Sequence, residues 1–540
     1  MAMTRSRTFN LADLLEIVAA RVPQRAAFVC GAQRLTYAEI DERATRVASG
    51  LRSRGIGRGD HVGIALYNSA EYIETLFACC KIGAVPVNVN YRYVAAELEY
   101  LFSTLDFKAL VYGEAFAGEV LKAAANVPAL KVLVCVGEGA PAGGAGHYAT
   151  LREQGSPTLD DPERSGEDLY MLCTGGTTGM PKGVMWPQRA IFMGALGGGG
   201  MYLRCPPVET PEALGELVER QPYLTVFTVA PMMHGAAMWL LMISLFAGHT
   251  IVVNDETGFD PAHIWDVVVR DGVNVVSVVG DAMALPLIQA LEAEPARWDL
   301  RKLMVFGNGG AVFSDHLQAR LKALVPHIAL NNGLGSSEVG VVGGGVKPAS
   351  GDGFMVVPAR PDLALVDESS RRLVSGAGAE GVLARTGHTP IGYYGDPQKS
   401  AEVFIDIDGT LWVLSGDRAR LDEDGNFVML GRGSQCINTG GEKVFPEEVE
   451  EAARRYAAVQ DVLVVGMPDE RWGQRVAAVI ELSPGAVFDA KEFDSVCRAR
   501  LSGYKMPRAV YLAERIRRSP AGKADYRWAR DYAADHASVI

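Results

Sequence analysis

Two patterns of apolar residues alternate along the first half of the chain. Tyr37–Arg54 and Ala70–Ile82 repeat apolar positions every three or four residues, which predicts helices with one buried face. His61–Leu66, Ala109–Tyr112, Lys131–Val136, Thr250–Val253 and Val273–Val279 are short runs rich in β-branched residues, which predict buried strands. Strands separated by helix-length segments assemble into largely parallel sheets with helices on their faces. The predicted fold class is therefore α/β, with layered α/β subdomains making up a large N-terminal domain.

The interruptions of this pattern are as informative as the pattern. Residues 205–221 are polar and hold three prolines, which predicts a surface excursion. Dense glycine at Gly194–Gly200 and Gly340–Gly345 predicts loops. The longest apolar stretch, Ala236–Ala247, has 12 residues, short of the ~20 that a membrane-spanning helix needs. It reads as a buried core segment. Near residues 431–435 the character changes. Leu411–Leu430 reads as short strands and turns, and beyond Ser434 a compact segment carries its own strands (Val462–Gly466, Val476–Leu482) and helices (Pro446–Arg455, Ala490–Leu501). That predicts residues 1–432 as one domain and 433–540 as a small mobile α/β domain, joined by a hinge.

Composition narrows the class. A chain of 540 residues exceeds one ordinary core. A net charge of −12 leaves no global basic field for nucleic acid. The eight cysteines are scattered without C-x-x-C pairs, which argues against a disulfide framework or zinc site and fits a cytoplasmic location. Asp13 and Glu16 interrupt the run a signal peptide would need.

The strongest local chemistry is Thr174-Gly175-Gly176-Thr177-Thr178-Gly179-Met180-Pro181-Lys182-Gly183. Its glycines let backbone N–H groups approach a polyanion, its hydroxyls donate to phosphate oxygens and Lys182 neutralises charge. The P-loop pattern fails, because Lys182 follows a proline and precedes Gly183. The segment resembles the phosphate signature of the adenylate-forming superfamily, which holds acyl-CoA synthetases, carrier-loading adenylation domains and luciferases. Gly175 stands where that family more often has serine. Four further segments resemble family motifs in the family's order: Asn308-Gly309-Gly310-Ala311; Asn332-Gly333-Leu334-Gly335-Ser336-Ser337-Glu338; Ser415-Gly416-Asp417 with Arg432 fifteen residues on; and Arg518-Ser519-Pro520-Ala521-Gly522-Lys523. The resemblance spans about residues 10–530.

The resemblance implies an ATP-dependent ligase that joins a small-molecule carboxylic acid to coenzyme A through an acyl-adenylate. Thr174, Thr177, Thr178 and Lys182 would hold the ATP phosphates. Glu338 would bind Mg²⁺, Gly309–Ala311 would flank adenine, and Asp417 and Arg432 would reach the ribose. Lys523 would bridge the carboxylate and the α-phosphate, and Gly440-Gly441-Glu442-Lys443 would line the CoA channel after the small domain turns. Leu334 replaces the usual aromatic and Ser434 the usual hinge residue. The segment around His234, Gly235 and Met238 resembles the acyl-pocket helix, and Gly309 and Gly333 would also line the acyl pocket. Between Ala230 and His249 no acidic residue could anchor an amino group. The stretches CTGGTTGMPKGVMW, GRGSQCINTGGEKVFPEEVE and RSPAGKADYRWA resemble the bacterial ligases of fatty and steroid side-chain acids, which implies a long or bulky hydrophobic acid of that type as the substrate, with a short or aryl acid as alternative. The rival activities are acyl transfer to a carrier protein and, from another class, non-catalytic nucleotide or acyl binding. A homodimer is compatible with the sequence.

Overall fold

Thr36, just ahead of the first amphipathic run, closes a capping box: its hydroxyl accepts from the Glu39 N–H and the Glu39 carboxylate accepts from the Thr36 N–H. The helix that follows, Tyr37–Arg52, buries Ile40, Ala44, Val47 and Leu51 and packs on the helix Ala70–Ile82. In the computed structural model, residues 6–160, 163–175, 180–310, 313, 315–345, 355–432, 437–444, 446–517 and 525–540 are described.

Among the described residues, the large N-terminal domain holds three sheets. In the first, the strands His61–Ala65, Val85–Asn88, Phe107–Gly113, Val132–Val136 and Leu169–Gly175 run parallel, and Pro181–Pro187 returns antiparallel to the last of them. In the second, Ala26–Cys30, Thr250–Val253, Thr225–Thr228, Val275–Val278, Val305–Gly309 and Ala329–Ser336 run parallel in that spatial order. One large apolar core joins residues of both sheets, of the two helices above and of the helix Gly235–Phe246. The third sheet is antiparallel and is built around the strand Thr410–Leu421.

The smaller C-terminal domain has a sheet of its own. Val459–Asp469 and Gly473–Leu482 pair antiparallel, and Ala509–Ala513 adds parallel to the second strand. Its two faces bury separate apolar clusters, one under the helices Pro446–Ala453 and Ala490–Arg498, the other under Tyr526–Asp535.

Two sequence expectations are corrected. Gly340–Gly345 is a strand, paired antiparallel with Ala329–Ser336. A Cβ on Gly335 would stand 2.3 Å from the Gly340 carbonyl oxygen, so the glycines permit the pairing that they were read as breaking. Within the polar stretch 205–221, Ala213–Arg220 is a helix whose Leu214, Leu217 and Val218 are buried, and it packs on the helix Leu11–Arg21. The surface excursion is confined to the turn before it.

Candidate active site

Asn88 stands at the end of its strand and fastens two separate segments. Its side-chain N–H donates to the carbonyls of Cys173 (3.1 Å) and Met233 (2.6 Å), and its oxygen accepts from the Cys173 N–H (2.7 Å). The base of the Gly/Thr-rich loop is thereby tied to the turn ahead of the helix Gly235–Phe246. Thr174 lies directly across the hairpin from Lys182. The Lys182 ammonium sits 3.3 Å from Asp396 and over the Tyr393 ring, 5.3 Å from its centroid. Burial lowers the lysine's pKa, and Asp396 pulls the other way without cancelling it. Tyr393 O–H in turn donates to the Glu338 carboxylate at 3.1 Å. Lys182 and Glu338, 156 residues apart in sequence, are thus joined through one tyrosine.

The segment on both sides of Glu338 is held by hydrogen bonds to its backbone. Trp186 Nε1–H donates to the Ser337 carbonyl (2.9 Å), and the buried Arg385 donates to the carbonyls of Val339 and Val341. Asn308 accepts from the Gly280 N–H (2.7 Å) and donates to Asn332 (3.2 Å), which fixes the two strands below the Gly309–Gly310 turn. Gly310 has φ +87°, a conformation glycine adopts without strain.

These parts surround a cavity of about 1170 Å³. Thr174, His234, Gly235, Gly309, Gly310, Gly333, Leu334, Gly335, Ser336 and Ser337 all line it. So do Gly440, Gly441, Glu442 and Lys443 of the small domain. Helical periodicity turns Ala236, Trp239, Leu240 and Ile243 toward the cavity. Met238, expected in the acyl pocket, points into the core and is 2% exposed. Asn332 is likewise buried in the sheet, and Lys182, Glu338 and Asp417 stand outside the cavity lining. Asp417 is buried and lies opposite Arg432 in a hairpin ladder, which accounts for their spacing in sequence. Gly176, Thr177, Thr178, Gly179, Ala311, Ser434 and Lys523 lie outside the described residues, as does the side chain of Arg432.

The small domain meets the site through charge. Glu442 accepts from Arg92 (2.8 Å) and lies 3.0 Å from His234 Nε2. Burial pushes the Glu442 carboxyl up, but His234 and Arg92 outweigh it and leave the pKa below its ordinary value. Gly440 and Gly441 have φ of +59° and +85°; a Cβ on Gly441 would stand 2.8 Å from Val279 across the domain boundary. Sequence reasoning missed a second contact. Glu97, in the first turn of the helix Ala95–Thr104, accepts from Ser502 (2.6 Å) and Lys505 (2.8 Å), and Lys505 also pairs with Glu448 at 2.8 Å. Burial lowers the Lys505 pKa, yet the two carboxylates raise it above its ordinary value.

The AMP-binding enzyme model matches residues 15–394, and the model of that enzyme's C-terminal domain matches residues 448–523. The chain belongs to the AMP-binding enzyme family. A 3-oxocholest-4-en-26-oate–CoA ligase of Rhodococcus rhodochrous is 40% identical to this family member over 532 residues, covering 97% of this chain and 95% of the relative. A medium/long-chain-fatty-acid–CoA/3-oxocholest-4-en-26-oate–CoA ligase of Mycolicibacterium smegmatis is 38% identical, covering 97% and 96%. The amide bond synthetase McbA of Marinactinospora thermotolerans shares the fold, with a TM-score of 0.81 at 21% identity over 96% of this chain and 99% of that one. Among the described residues no helix is long and apolar enough to cross a membrane.

Proposed function

We propose that this AMP-binding enzyme is an ATP-dependent acid–CoA ligase that takes a long-chain or bulky hydrophobic carboxylic acid, fatty or steroid side-chain in type. The observation that carries the reading is the shared cavity. One wall holds the phosphate-loop strand and the Gly309–Gly310 turn, another the apolar helix Gly235–Phe246, and the small domain closes it with Gly440–Lys443. Its volume, about 1170 Å³, lies just above the ~300–1,000 Å³ usual for small-molecule sites, and the names of the relatives point to the same acids.

In the first half-reaction the carboxylate attacks the α-phosphorus of ATP and pyrophosphate leaves. Thr174, Thr177, Thr178 and Lys182 hold the leaving phosphates, Asp417 and Arg432 the ribose, and Lys523 neutralises charge building at the α-phosphate. Glu338 suits Mg²⁺, a hard cation that takes one or two carboxylates and completes its shell with phosphates and water; when bound, it supplies charge neutralisation for the phosphates. In the second half-reaction the CoA thiol attacks the mixed anhydride and AMP leaves. The side-chain-free backbone at Gly440 and Gly441 supports a pantetheine channel, and the paired Glu442 and His234 sit at its inner end. A boundary at residues 432–433, with a lid that turns between the steps, and a cytoplasmic setting complete the reading.

The test is release of pyrophosphate and AMP across acids of rising hydrophobic bulk, with and without CoA. CoA-dependent turnover that rises with bulk supports the assignment. Adenylate formation with no CoA-dependent product hands the case to a carrier-loading enzyme. Lys523→Ala abolishes adenylation on this reading, and full adenylation by that variant overturns the role of Lys523.

A further inference from the structure

The floor of the cavity is one face of three adjacent parallel strands, and their register sorts its residues into rows. Val275, Val305 and Ala329 form the outer row; Ser277, Gly307 and Asn331 the middle row; Gly309 and Gly333 the inner one. Rows are about 7 Å apart and neighbouring strands about 4.8 Å. The floor therefore changes from aliphatic at its outer end to bare backbone at the adenylate end.

The bare part is not demanded by the fold. Many internal glycines of this chain have something pressed against them: a Cβ on Gly63 would stand 2.4 Å from the Phe107 ring, and one on Gly183 2.4 Å from Met171. Gly307 differs. A Cβ there would meet its nearest neighbours at 3.5 and 3.8 Å, ordinary contact distances. Among the described residues, Gly309 has nothing within 4 Å and Gly333 only one carbonyl at 3.5 Å. None of the three has a positive φ. Glycine inside a strand weakens it and leaves nothing to pack, so the strands themselves gain nothing from bare backbone at these positions. Ser277 and Asn331 flank Gly307 on either side, and neither makes a side-chain hydrogen bond among the described residues.

Resting on the ligase reading, we infer that Gly307 is a specificity-determining residue that seats the flat face of a fused-ring acid, with Ser277 and Asn331 placed to hydrogen-bond a ring oxygen. A straight alkyl chain is narrow and can bend past a side chain at position 307, whereas a rigid ring body cannot. Trp239, Leu240 and Ile243, which line the same cavity, are apolar and suit the body of such an acid.

The experiment compares kcat/KM for dodecanoic acid, cholanic acid and its ring-hydroxylated form deoxycholic acid in the full-length protein and in Gly307→Val and Asn331→Ala. Gly307→Val is expected to lower both steroid acids by tenfold or more, on the order of what a misfitting methylene or two costs in a pocket, and to lower dodecanoate by a clearly smaller factor. Asn331→Ala is expected to lower deoxycholate more than cholanate. An unchanged thermal midpoint shows that Gly307→Val is folded; if it is not, Gly307→Ala replaces it with the same expectation at smaller size. Equal loss for chain and ring acids, or no loss for either, overturns the inference. Wild-type turnover of dodecanoate without either steroid acid also overturns it while the ligase reading stands. No CoA-dependent turnover of any acid removes the ligase reading itself.

Discussion

Glu97→Gln separates the two half-reactions. Glu97 belongs to the large domain, and both of its partners outside its own helix, Ser502 and Lys505, belong to the small one. Lys505 is 3% exposed and lies between Glu97 and Glu448, with the rings of Tyr93 and Tyr504 also facing it at 5.0 and 5.6 Å. Glutamine keeps an acceptor for the Val94 N–H that caps the helix but removes the charge opposite the lysine. A buried hydrogen bond to a charged group contributes about 1.5–3 kcal/mol. Its loss shifts the balance away from the present domain orientation by roughly ten- to a hundredfold. This orientation, with Gly440–Lys443 on the cavity, is the one proposed for thiol attack. Pyrophosphate exchange, which reads adenylation alone, is therefore expected to stay within about twofold. Single-turnover transfer from preformed acyl-AMP to CoA is expected to slow by up to the full factor. Equal slowing of both half-reactions, or an unchanged thiol step, refutes the argument that this contact holds the lid.

Other perturbations follow from the same geometry. Gly441→Val meets both a φ of +85° and Val279 at 2.8 Å, so it is expected to block the CoA step and raise the KM for CoA while pyrophosphate exchange persists. Tyr393→Phe removes the hydroxyl that orients Glu338, and the KM for MgATP is expected to rise about three- to tenfold, the worth of one ordinary hydrogen bond; an unchanged KM across magnesium concentrations contradicts it. His249 is fully buried, both its ring nitrogens lack a hydrogen-bond partner among the described residues, and burial lowers its pKa from 6.5 to about 4. The unfolded chain therefore binds its proton first as pH falls, so stability drops between about pH 6.5 and 4, by on the order of 3 kcal/mol for this residue. Urea unfolding at pH 7.5 and 5 reads the slope, which His249→Gln is expected to flatten.

Much of the site was legible because it is local. Thr174 and Lys182 sit across one hairpin, Gly309–Gly310 is one turn and Gly440–Lys443 another, so short motifs carry them. Asp417 and Arg432 kept their spacing because a hairpin ladder places them opposite each other. The groups that tie these pieces together were not legible. Asn88 binds segments 85 and 145 residues away, Tyr393 reaches Glu338 across 55, and Lys505 meets Glu97 across 408. Each is an ordinary residue in its own stretch, and only tertiary contact gives it a role. The strand Gly340–Gly345 was misread for a related reason: glycine breaks isolated strands, but here it permits close approach to Gly335. Met238 was misplaced because the apolar helix Gly235–Phe246 is buried nearly all round, leaving too little polarity to mark its cavity face.

The central claim is that a carboxylate oxygen attacks the α-phosphorus and that the resulting adenylate acylates CoA. The most direct test supplies a hydrophobic acid labelled with heavy oxygen in its carboxylate, with MgATP and CoA, and follows the label by mass spectrometry. The account predicts one labelled oxygen in AMP, an acyl-CoA that retains the other, and unlabelled pyrophosphate. Label in inorganic phosphate with ADP as the product, or thioester formed with unlabelled AMP, contradicts it.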